Sequence, residues 1–544
     1  MAPIASAVSA HVDRFAHDRL PPPALMPELL FERPELQFPP RLNCTTALLD
    51  RHIDEGRGHR LCIQGAGVRW SYAEFQAQAH RLAHVLVRQM GLVPGNRVLL
   101  RGANTPLLAA CWFAVVKAGG IAVGSMPLLR ARELITVIDK ARISHALCDA
   151  RLADELALAL PHCPTLRHVV HYGGSACELE ARAATEPAVF TPVDTAADDI
   201  CLIAFTSGTT GVPKGTMHHH RDVMAACACW PAHVLRPTAA DVFIGSPPLA
   251  FTFGLGGLLL FPLAAGASTV LVEKATPETL PAAIEAYRAT VCFTAPTSYR
   301  AIAMAVNDGR CSHQLASLRK CVSAGEALPA PTRALWKQAT GLTLIDGIGS
   351  TEMLHIFISA DEATARPGAT GVPVPGYRAA ILDDAGRELP PGQVGRLAVK
   401  GPTGCKYLDD PRQASYVQNG WNLTGDAYLV DADGQFVYQA RTDDMIVSGG
   451  YNIAGPEVEA ALLLHPAVAE CGVVGVPDEA RGMVVKAFVV LRPGHDAGDA
   501  LARGLQEFVK QTIAPYKYPR ELVFCSGLPR TETGKLQRFR LKNA

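Results

Sequence analysis

The amino-acid sequence predicts an α/β fold with two domains of unequal size. Its 544 residues exceed what one hydrophobic core usually holds, so at least two domains are expected. Strand-like and helix-like segments alternate through the first part of the chain, which favours largely parallel sheets in αβα-type subdomains. After about residue 368 the pattern changes to short strands and Gly, Pro and Asp turns, which predicts a β-rich subdomain. From Met445 onward, new strands and helices predict a small α+β C-terminal domain.

The alternation is visible in individual segments. An apolar repeat of helical period follows Ser71, ends at Gly91 and leads into a strand that reaches Arg101. A second helix is expected around residues 107–118. The same patterns predict strands over 290–294 and 318–323, and helices over 277–287, 331–340 and 501–513.

The most apolar stretch, residues 254–272, is nearly as long as a membrane span. Pro262 and several glycines interrupt it, which is atypical of a transmembrane helix. We therefore interpret it as a buried helix, a turn and a strand.

Composition narrows the choice of partners. Lys plus Arg and Asp plus Glu both number 51, so no net positive field attracts nucleic acid or anionic membranes. The 15 cysteines include no CxxC pair, and we interpret them as reduced, mostly buried thiols. The first residues lack the pattern of a secretory signal. We expect a cytoplasmic protein, monomeric or homodimeric, whose partners are small molecules.

Three consecutive histidines, residues 218–220, resemble a metal-binding cluster at first sight. If they lie at the start of a helix, neighbouring side chains point about 100° apart and cannot converge on one ion. We therefore expect no metal site formed by these three histidines together.

The segment TSGTTGVPKG, residues 206–215, follows the apolar run CLIAF. Closely spaced glycines let backbone N–H groups approach an anion, while the hydroxyls and the lysine add donors and a positive charge. The spacing differs from the P-loop of NTPases, because Gly-Lys-Ser/Thr is missing. The segment predicts a phosphate site made by Thr206, Ser207, Gly208, Thr209, Thr210, Gly211 and Lys214.

This segment resembles the signature of the adenylate-forming superfamily, which includes acyl-CoA synthetases, adenylation domains of peptide synthetases, and luciferases. Further motifs of that family follow in its order across nearly the whole chain. They are GEA at 325–327, DGIGSTE at 346–352, TGD at 424–426, RTDD at 441–444, SGGY at 448–451 and PRTETGK at 529–535.

The resemblance implies how these motifs bind the nucleotide. Thr351 would lie near the α-phosphate, Glu352 would help to place Mg²⁺, and Asp426 would accept hydrogen bonds from the ribose. Ile348 stands where the family commonly has an aromatic residue, although an aliphatic side chain still covers an adenine ring. Besides the phosphate segment, the implied ATP/AMP-binding residues are Gly325, Glu326, Ala327, Asp346, Gly347, Ile348, Gly349, Ser350, Thr351, Asp426 and Arg441.

The resemblance also implies a two-step reaction that uses ATP, Mg²⁺ and coenzyme A. A carboxylate would attack the α-phosphorus and release pyrophosphate, with Lys535, Thr351 and Glu352 as the catalytic residues. Members of the family then rotate a mobile C-terminal domain, here 445–544, against the N-terminal domain, here 1–440. Residues 441–444 would form the hinge. Its pivot would be Asp443, and the CoA channel would be lined by Ser448, Gly449, Gly450 and Tyr451.

The segment PPLAFTFGLGG, residues 247–257, lies where the family builds its acyl pocket. It contains two aromatic side chains, Phe251 and Phe253, and no acidic residue that would bind an α-ammonium group. Two facing rings suit a flat apolar substrate. Together with residues 350–357 it most resembles benzoate–CoA and 2-aminobenzoate–CoA ligases, and the implied pocket residues are Phe251, Thr252, Phe253, Gly349, His355 and Ile356.

Two residues bear on which aryl acid is used. Benzoate ligases often have tyrosine at the position of Phe253 and alanine at that of Thr252. An ortho amino group needs a hydrogen-bond acceptor, which Thr252 or His355 could provide. We therefore favour 2-aminobenzoate and keep benzoate as an alternative.

Three other functions share these motifs. A carrier-loading adenylation enzyme would use a carrier protein in place of coenzyme A. A luciferase-like oxygenase has the same fold, but nothing in the sequence indicates oxygen chemistry. A catalytically dead relative that senses nucleotide or acyl-adenylate would have lost Lys535 or Glu352, and both are present.

Overall fold

The computed structural model describes residues 7–174, 177–206, 213–442, 444–448, 451–478, 481–513, 515–530 and 536–542. Within these ranges the strands of the first two sheets are β1 Leu61–Gly65, β2 Val68–Ser71, β3 Arg97–Arg101, β4 Ile121–Ser125, β5 His145–Asp149, β6 His168–Tyr172, β7 Ile200–Thr206, β8 Lys214–His219, β9 Val242–Gly245, β10 Ser268–Val270, β11 Val291–Thr294, β12 Lys320–Ser323, β13 Leu344–Gly349, β14 Ile356–Ser359 and β15 Val372–Pro373.

These strands form two largely parallel sheets, as the alternating sequence predicts. One has nine strands in the order β15-β14-β13-β12-β11-β9-β10-β1-β2, and only its outer pairs are antiparallel. The other has six strands in the order β6-β5-β3-β4-β7-β8, with β8 antiparallel to β7. The α/β fold class is therefore confirmed.

Helices cover the faces of both sheets. In the N-terminal part they are α1 Arg51–Asp54, α2 Tyr72–His84, α3 Pro106–Lys117, α4 Ala131–Ala141, α5 Ala153–Ala159, α6 Glu178–Ala184, α7 His220–Ala228, α8 Thr252–Leu255, α9 Phe261–Ala265, α10 Leu280–Tyr287, α11 Pro296–Asn307, α12 Ala330–Thr340 and α13 Gln413–Tyr416. The predicted helices after Ser71 and around 107–118 are confirmed as α2 and α3.

Side-chain caps explain where these helices begin. The hydroxyl of Ser71 accepts from the amide of Glu74, whose carboxylate accepts from the amide of Ser71, so α2 starts with a capping box. At the start of α3, the hydroxyl of Thr105 accepts a hydrogen bond from the amide of Leu108. The helix predicted over 277–287 begins only at Leu280, because a turn closed by the Thr276 and Thr279 hydroxyls precedes it.

The apolar stretch 254–272 is buried, as predicted. It forms α8, a π-helical turn over 256–260, α9 and β10, and Gly266 allows the chain to reverse with φ +69°. Within the part of the chain that the structure describes, no helix is long and apolar enough to cross a membrane.

The histidine triplet is not entirely at a helix start, contrary to our expectation. His218 and His219 end β8, and only His220 belongs to α7. His218 and His219 lie against one carboxylate, with their Nδ1 atoms 3.9 and 3.4 Å from the same oxygen of Asp222. The ring of His220 lies instead against the sulfur of Cys44.

The β-rich region and the C-terminal region have separate sheets. Their strands are β16 Arg378–Leu382, β17 Gly395–Lys400, β18 Val417–Gln418, β19 Trp421–Val430, β20 Phe436–Arg441, β21 Ile446–Ser448, β22 Tyr451–Ile453, β23 Val468–Asp478, β24 Gly482–Leu491 and β25 Glu521–Phe524. β16–β20 form one five-stranded sheet and β21–β25 another, which carries α14 Gly455–Leu462, α15 Asp499–Thr512 and α16 Arg538–Lys542.

The chain passes from one of these sheets to the other between Arg441 and Ile446, where the hinge is predicted. Asp443 lies outside the described residues. Its neighbour Asp444 accepts a hydrogen bond of 2.7 Å from the ammonium of Lys542 in α16. The last helix is therefore attached beside this crossing.

A buried ion pair joins the first helices of the core. The ammonium of Lys117 in α3 is fully buried and donates to the Asp50 carboxylate at 2.6 Å, and Gln76 donates to the same oxygen at 2.8 Å. Burial lowers the pKa of Lys117, and the negative charge of Asp50 opposes that shift. Each charge depends on the other for its stability in the core.

We expect Asp50→Asn to lower the free energy of unfolding by about 3–5 kcal/mol, because it leaves a buried ammonium without its counter-ion. Urea unfolding followed by circular dichroism measures the loss. The exposed Asp139→Asn serves as control and should change it by less than about 0.5 kcal/mol. Equal effects of the two substitutions would contradict the role of the ion pair.

Candidate active site

The nucleotide motifs meet at the carboxyl ends of the parallel strands. The strip Gly325–Ala327 begins two residues after β12, and Asp346 lies in β13, whose register pairs it with Ser323 of β12. Ligands of open α/β sheets bind at this edge. The structure thus brings together the two motifs that were predicted to hold adenine. In the phosphate segment, residues 207–212 are outside the described ranges.

Three side chains form a buried polar network at the predicted magnesium site. Lys214 donates to the hydroxyl of Tyr407 at 2.8 Å, and that hydroxyl donates to Glu352 at 2.5 Å. Lys214 lies 3.6 Å from the same carboxylate oxygen. Burial and the charge of Glu352 raise the pKa of Tyr407, so its phenol stays protonated as a donor. A carboxylate held in this way offers the oxygen ligands that Mg²⁺ prefers.

Sequence analysis missed Tyr407. It lies in the segment GCKY, 55 residues after Glu352, and reaches the site through a bridge between Tyr407 and Thr216 beside β8. The sequence has no local signal for this role of Tyr407, because the bridge joins it to a residue far away in the chain.

A second contact links the phosphate hairpin to Thr351. His218 of β8 donates through Nε2 to the carbonyl of Thr351 at 2.8 Å. Burial lowers the pKa of His218 to about 3, and the positive charge of the nearby Lys406 contributes to this shift, so the ring is neutral. The phosphate hairpin therefore fixes the main chain immediately before Glu352.

Asp346 has an unusual carboxyl group. Burial raises its pKa to about 7, and the positive charge of Arg333 only partly offsets this. Near neutral pH the group is therefore divided between a protonated form that donates and an ionised form that accepts. A carboxyl group beside the adenine strip can make either kind of hydrogen bond to a base.

The predicted ribose residue lies against Arg441. Asp426 of β19 pairs in register with Arg441 of β20, and the guanidinium lies 3.3 Å from its carboxylate. Gly425 adopts φ +77°, and a Cβ there would come within 2.7 Å of the guanidinium. The glycine of the TGD segment, which lies inside β19, therefore allows the two side chains to approach.

Arg530, which precedes the predicted lysine loop, lies against the adenine strip. Its guanidinium lies 3.6 Å from Glu326 and 2.8 Å from Glu470, and it forms a bridge with Leu536. Residues 531–535, with Lys535, lie outside the described residues. Arg300 adds a hydrogen bond of 3.2 Å to the carbonyl of Ala469.

Part of the predicted CoA channel is described. Ser448 of β21 is buried, pairs with Tyr451 of β22, and contacts Gly482 of β24 in register. Gly449 and Gly450 lie outside the described residues. The channel assignment stays a prediction.

The predicted acyl pocket contains a buried histidine among aromatic rings. The centroid of the His355 ring lies 4.5 Å from that of Phe261, 5.5 Å from that of Trp230 and 5.7 Å from that of Phe253. Burial lowers the pKa of His355 to about 3, with a small opposite effect from the main chain of Phe253. Neither ring nitrogen has a hydrogen-bond partner of suitable geometry among the described residues.

Two further predicted pocket residues lie beside His355. Gly349 pairs in register with Ile356, and a Cβ at Gly349 would lie 2.7 Å from the carbonyl of His355. These residues and Phe253 therefore lie together, with Trp230 and Phe261 added by the fold. Thr252, at the start of α8, is buried, and its place in the pocket stays a prediction, as does that of Phe251.

The aromatic neighbours of Phe253 are Phe293 and His355. Phe251 is an extended residue that precedes α8, whereas Phe253 is inside the helix. The expected facing of Phe251 and Phe253 across a substrate ring stays a prediction.

Each of the 15 cysteines lies within the described ranges and is free, and most are buried, as predicted.

Comparison with known proteins gives the same family for both regions. Residues 49–407 match the model of the AMP-binding enzymes, and residues 457–535 match that of the AMP-binding enzyme C-terminal domain. The benzoate–CoA ligase of Thauera aromatica is 36% identical over 520 residues, which cover 94% of this chain and 98% of the relative.

Solved structures of similar proteins indicate the same family. The anthranilate CoA ligase AuaEII in complex with anthranoyl-AMP superposes with a TM-score of 0.90 at 34% identity, covering 94% of this chain and 98% of that one. A benzoate CoA ligase from Burkholderia xenovorans LB400 gives a TM-score of 0.85 at 31% identity, covering 92% and 100%. The chain therefore belongs to the AMP-binding enzyme family and is an ATP-dependent, AMP-forming acid–CoA ligase of the aryl-acid type.

Proposed function

We propose that the substrate is 2-aminobenzoate, which the enzyme converts to its CoA thioester through an acyl-adenylate. The observation that carries this proposal is the ring of His355, which is buried among Phe253, Phe261 and Trp230. The main chain of Phe253 can partner one ring nitrogen at most, so at least one nitrogen has no partner among the described residues. A buried polar group without a partner costs about 1–3 kcal/mol, and a substrate that supplies one recovers this cost.

The chemistry of the imidazole favours an ortho amino group. A neutral imidazole has one acceptor nitrogen, and an aryl amine is neutral and donates N–H bonds. The hydroxyl of Thr252 is a second acceptor at the same pocket. Benzoate is the alternative, supported by similarity to the benzoate–CoA ligases, but an unsubstituted ring would leave the imidazole unpaired.

We assign the adenylation step to residues around the phosphate hairpin. Lys214 and the hydroxyls of the preceding segment would hold the ATP phosphates, Asp426 the ribose, and the strip 325–327 the adenine. Glu352 would hold Mg²⁺, and the bound ion would neutralise part of the charge of the phosphates. Lys535 would approach the α-phosphate as the substrate carboxylate attacks it and pyrophosphate departs.

For the second step we propose that the C-terminal domain rotates about Asp443. The contact between Arg530 and Glu326 then has to break, and residues 448–451 would replace it beside the pantetheine thiol. The thiol attacks the acyl carbon, AMP leaves, and the thioester forms. We further propose a cytoplasmic enzyme of aromatic acid breakdown, since reduced thiols and ATP are both maintained there. Monomer and homodimer remain alternatives.

The direct test is AMP release with Mg-ATP and a panel of acids, each with and without CoA. We expect turnover that requires CoA and a highest kcat/KM for 2-aminobenzoate among 2-aminobenzoate, benzoate, 2-hydroxybenzoate, phenylacetate and hexanoate. A maximum with benzoate would favour the alternative. AMP release that needs no CoA but a carrier protein would favour the carrier-loading enzyme.

His355→Leu should lower kcat/KM for 2-aminobenzoate about 2- to 13-fold more than for benzoate, because a net hydrogen bond contributes about 0.5–1.5 kcal/mol. Initial rates with both acids give this ratio. Phe261→Leu is the matched control, since it alters the packing of the same pocket without removing a polar atom. If both variants change the two acids equally, His355 does not select the substituent.

Tyr407→Phe should slow adenylate formation about 10- to 150-fold and raise the Mg²⁺ concentration needed for half-maximal rate. The hydroxyl bonds a charged lysine and a charged carboxylate, and such bonds contribute about 1.5–3 kcal/mol. ATP–pyrophosphate exchange at varied Mg²⁺ measures both. The exposed Tyr287→Phe should leave them unchanged, and an unaltered exchange rate in Tyr407→Phe would refute the role.

Arg530→Ala should slow adenylation by up to about fivefold, because a partly exposed ion pair contributes less than about 1 kcal/mol. The rate of thioester formation from added acyl-adenylate should be unchanged within experimental error, since that step uses the other domain arrangement. Comparing the two half-reactions separates these effects. If both half-reactions slow equally, Arg530 does not act selectively on the domain arrangement used for adenylation.

A further inference from the structure

We propose that Cys44, Cys201 and His220 form a binding site for one thiophilic d¹⁰ cation, such as Zn²⁺ or Cu⁺, behind the phosphate hairpin. The site is separate from the aryl-acid pocket and from the predicted Mg²⁺ site at Glu352. It does not depend on which acid the enzyme uses.

The geometry of the three donors suits a single ion. One ligand atom from each residue lies within 4.8 Å of the others, and the sulfur of Cys44 is 3.2 Å from Nδ1 of His220. Sulfur and nitrogen ligands at about 2.3 and 2.1 Å from a metal stand about 3.5–4 Å apart. Side-chain adjustments of up to about an ångström would therefore close the ligand set.

The chemistry of the donors selects the class of ion. Two thiolates and one imidazole are soft ligands, which favour Zn²⁺ and Cu⁺ over Mg²⁺. All three residues are buried, so the ion would be shielded from water by the protein. Mg²⁺, which requires oxygen ligands, would not compete for this site.

Binding would change the protonation of the two thiols. Burial alone would raise the pKa of Cys44, whereas the hydrogen bond with Cys201 and the neighbouring His220 lower it. Burial raises the pKa of Cys201, so this residue remains a thiol in the metal-free protein. Binding forms two metal–sulfur bonds and one metal–nitrogen bond and releases the remaining thiol protons to solvent.

One existing interaction has to give way. The amide of Cys44 donates to Nδ1 of His220 at 3.2 Å, which is at the long end for such a bond. Coordination through Nδ1 takes over that lone pair, so a weak hydrogen bond is exchanged for a metal–nitrogen bond.

The position of the ligands connects the site to the phosphate segment. Cys201 lies on β7, which ends at Thr206, and His220 directly follows β8, which begins at Lys214. An ion at this place would join the two strands of the hairpin at the end opposite to its tip. We therefore expect metal binding to stabilise the base of the hairpin that carries Lys214.

The test uses the full-length protein with the exposed Cys177 replaced by serine, to remove a thiol open to solvent. Cd²⁺ is added to the folded protein and, separately, during refolding from urea, and the thiolate-to-cadmium absorption band is followed. We expect one tightly held Cd²⁺ per chain that survives desalting and excess Mg²⁺. Failure to bind by both routes would overturn the proposal.

Single variants locate the ion. Cys44→Ala and Cys201→Ala should each lose tight binding, whereas Cys292→Ala, a buried cysteine in β11 of the other large sheet, should retain it. Binding that persists in Cys44→Ala would refute the site. Circular dichroism shows which variants are folded.

A measurement on the background protein alone decides the question if the variants do not fold. X-ray absorption of the Cd²⁺-loaded protein should show two sulfur neighbours and a nitrogen shell, and metal should slow amide hydrogen exchange in β7 and β8. A shell of three or four sulfurs, or unchanged exchange in these strands, would place the ion elsewhere.

Discussion

The antiparallel pairing of β7 and β8 is the constraint on which the nucleotide site depends. All other neighbours in the six-stranded sheet run parallel, so this hairpin is where the chain turns back at the carboxyl edge. The phosphate segment connects its two strands, and the second strand positions Lys214 at one end and His218 near the other. Because His218 bonds the carbonyl of Thr351, the hairpin also fixes the segment from the nine-stranded sheet. Two separate sheets thus contribute to one site.

The electrostatic problem at this site is to keep Glu352 ionised in a buried place. A carboxylate removed from water needs a positive charge and hydrogen-bond donors. Lys214 supplies the charge and Tyr407 the donor, and Tyr407 is held beside β8 by its bridge to Thr216. Groups oriented before substrate binds need not reorganise during the reaction, which is how enzymes stabilise developing charge. His355 is the opposite case, because its buried ring is neutral and is surrounded mainly by aromatic side chains.

The sequence predicted much of the fold because its signals were local. The capping box at Ser71 and the threonine before Pro106 determine where α2 and α3 begin, and glycine clusters mark the nucleotide turns. Tyr407, Trp230 and Phe261 could not be predicted, since their roles come from contacts with residues far away in sequence. His218 and His219 were mistaken for helix residues because a strand end has no local stop signal.

The contact between Lys542 and Asp444 has a practical consequence. Helix α16 lies against the crossing about which the C-terminal domain is proposed to turn, so Lys542 ties this helix to the segment that has to change its backbone angles. A bulky reporter attached at the exposed position 539 of α16 would add steric hindrance where the domains must reorient. Reporters intended for kinetic work are therefore better attached to other helices.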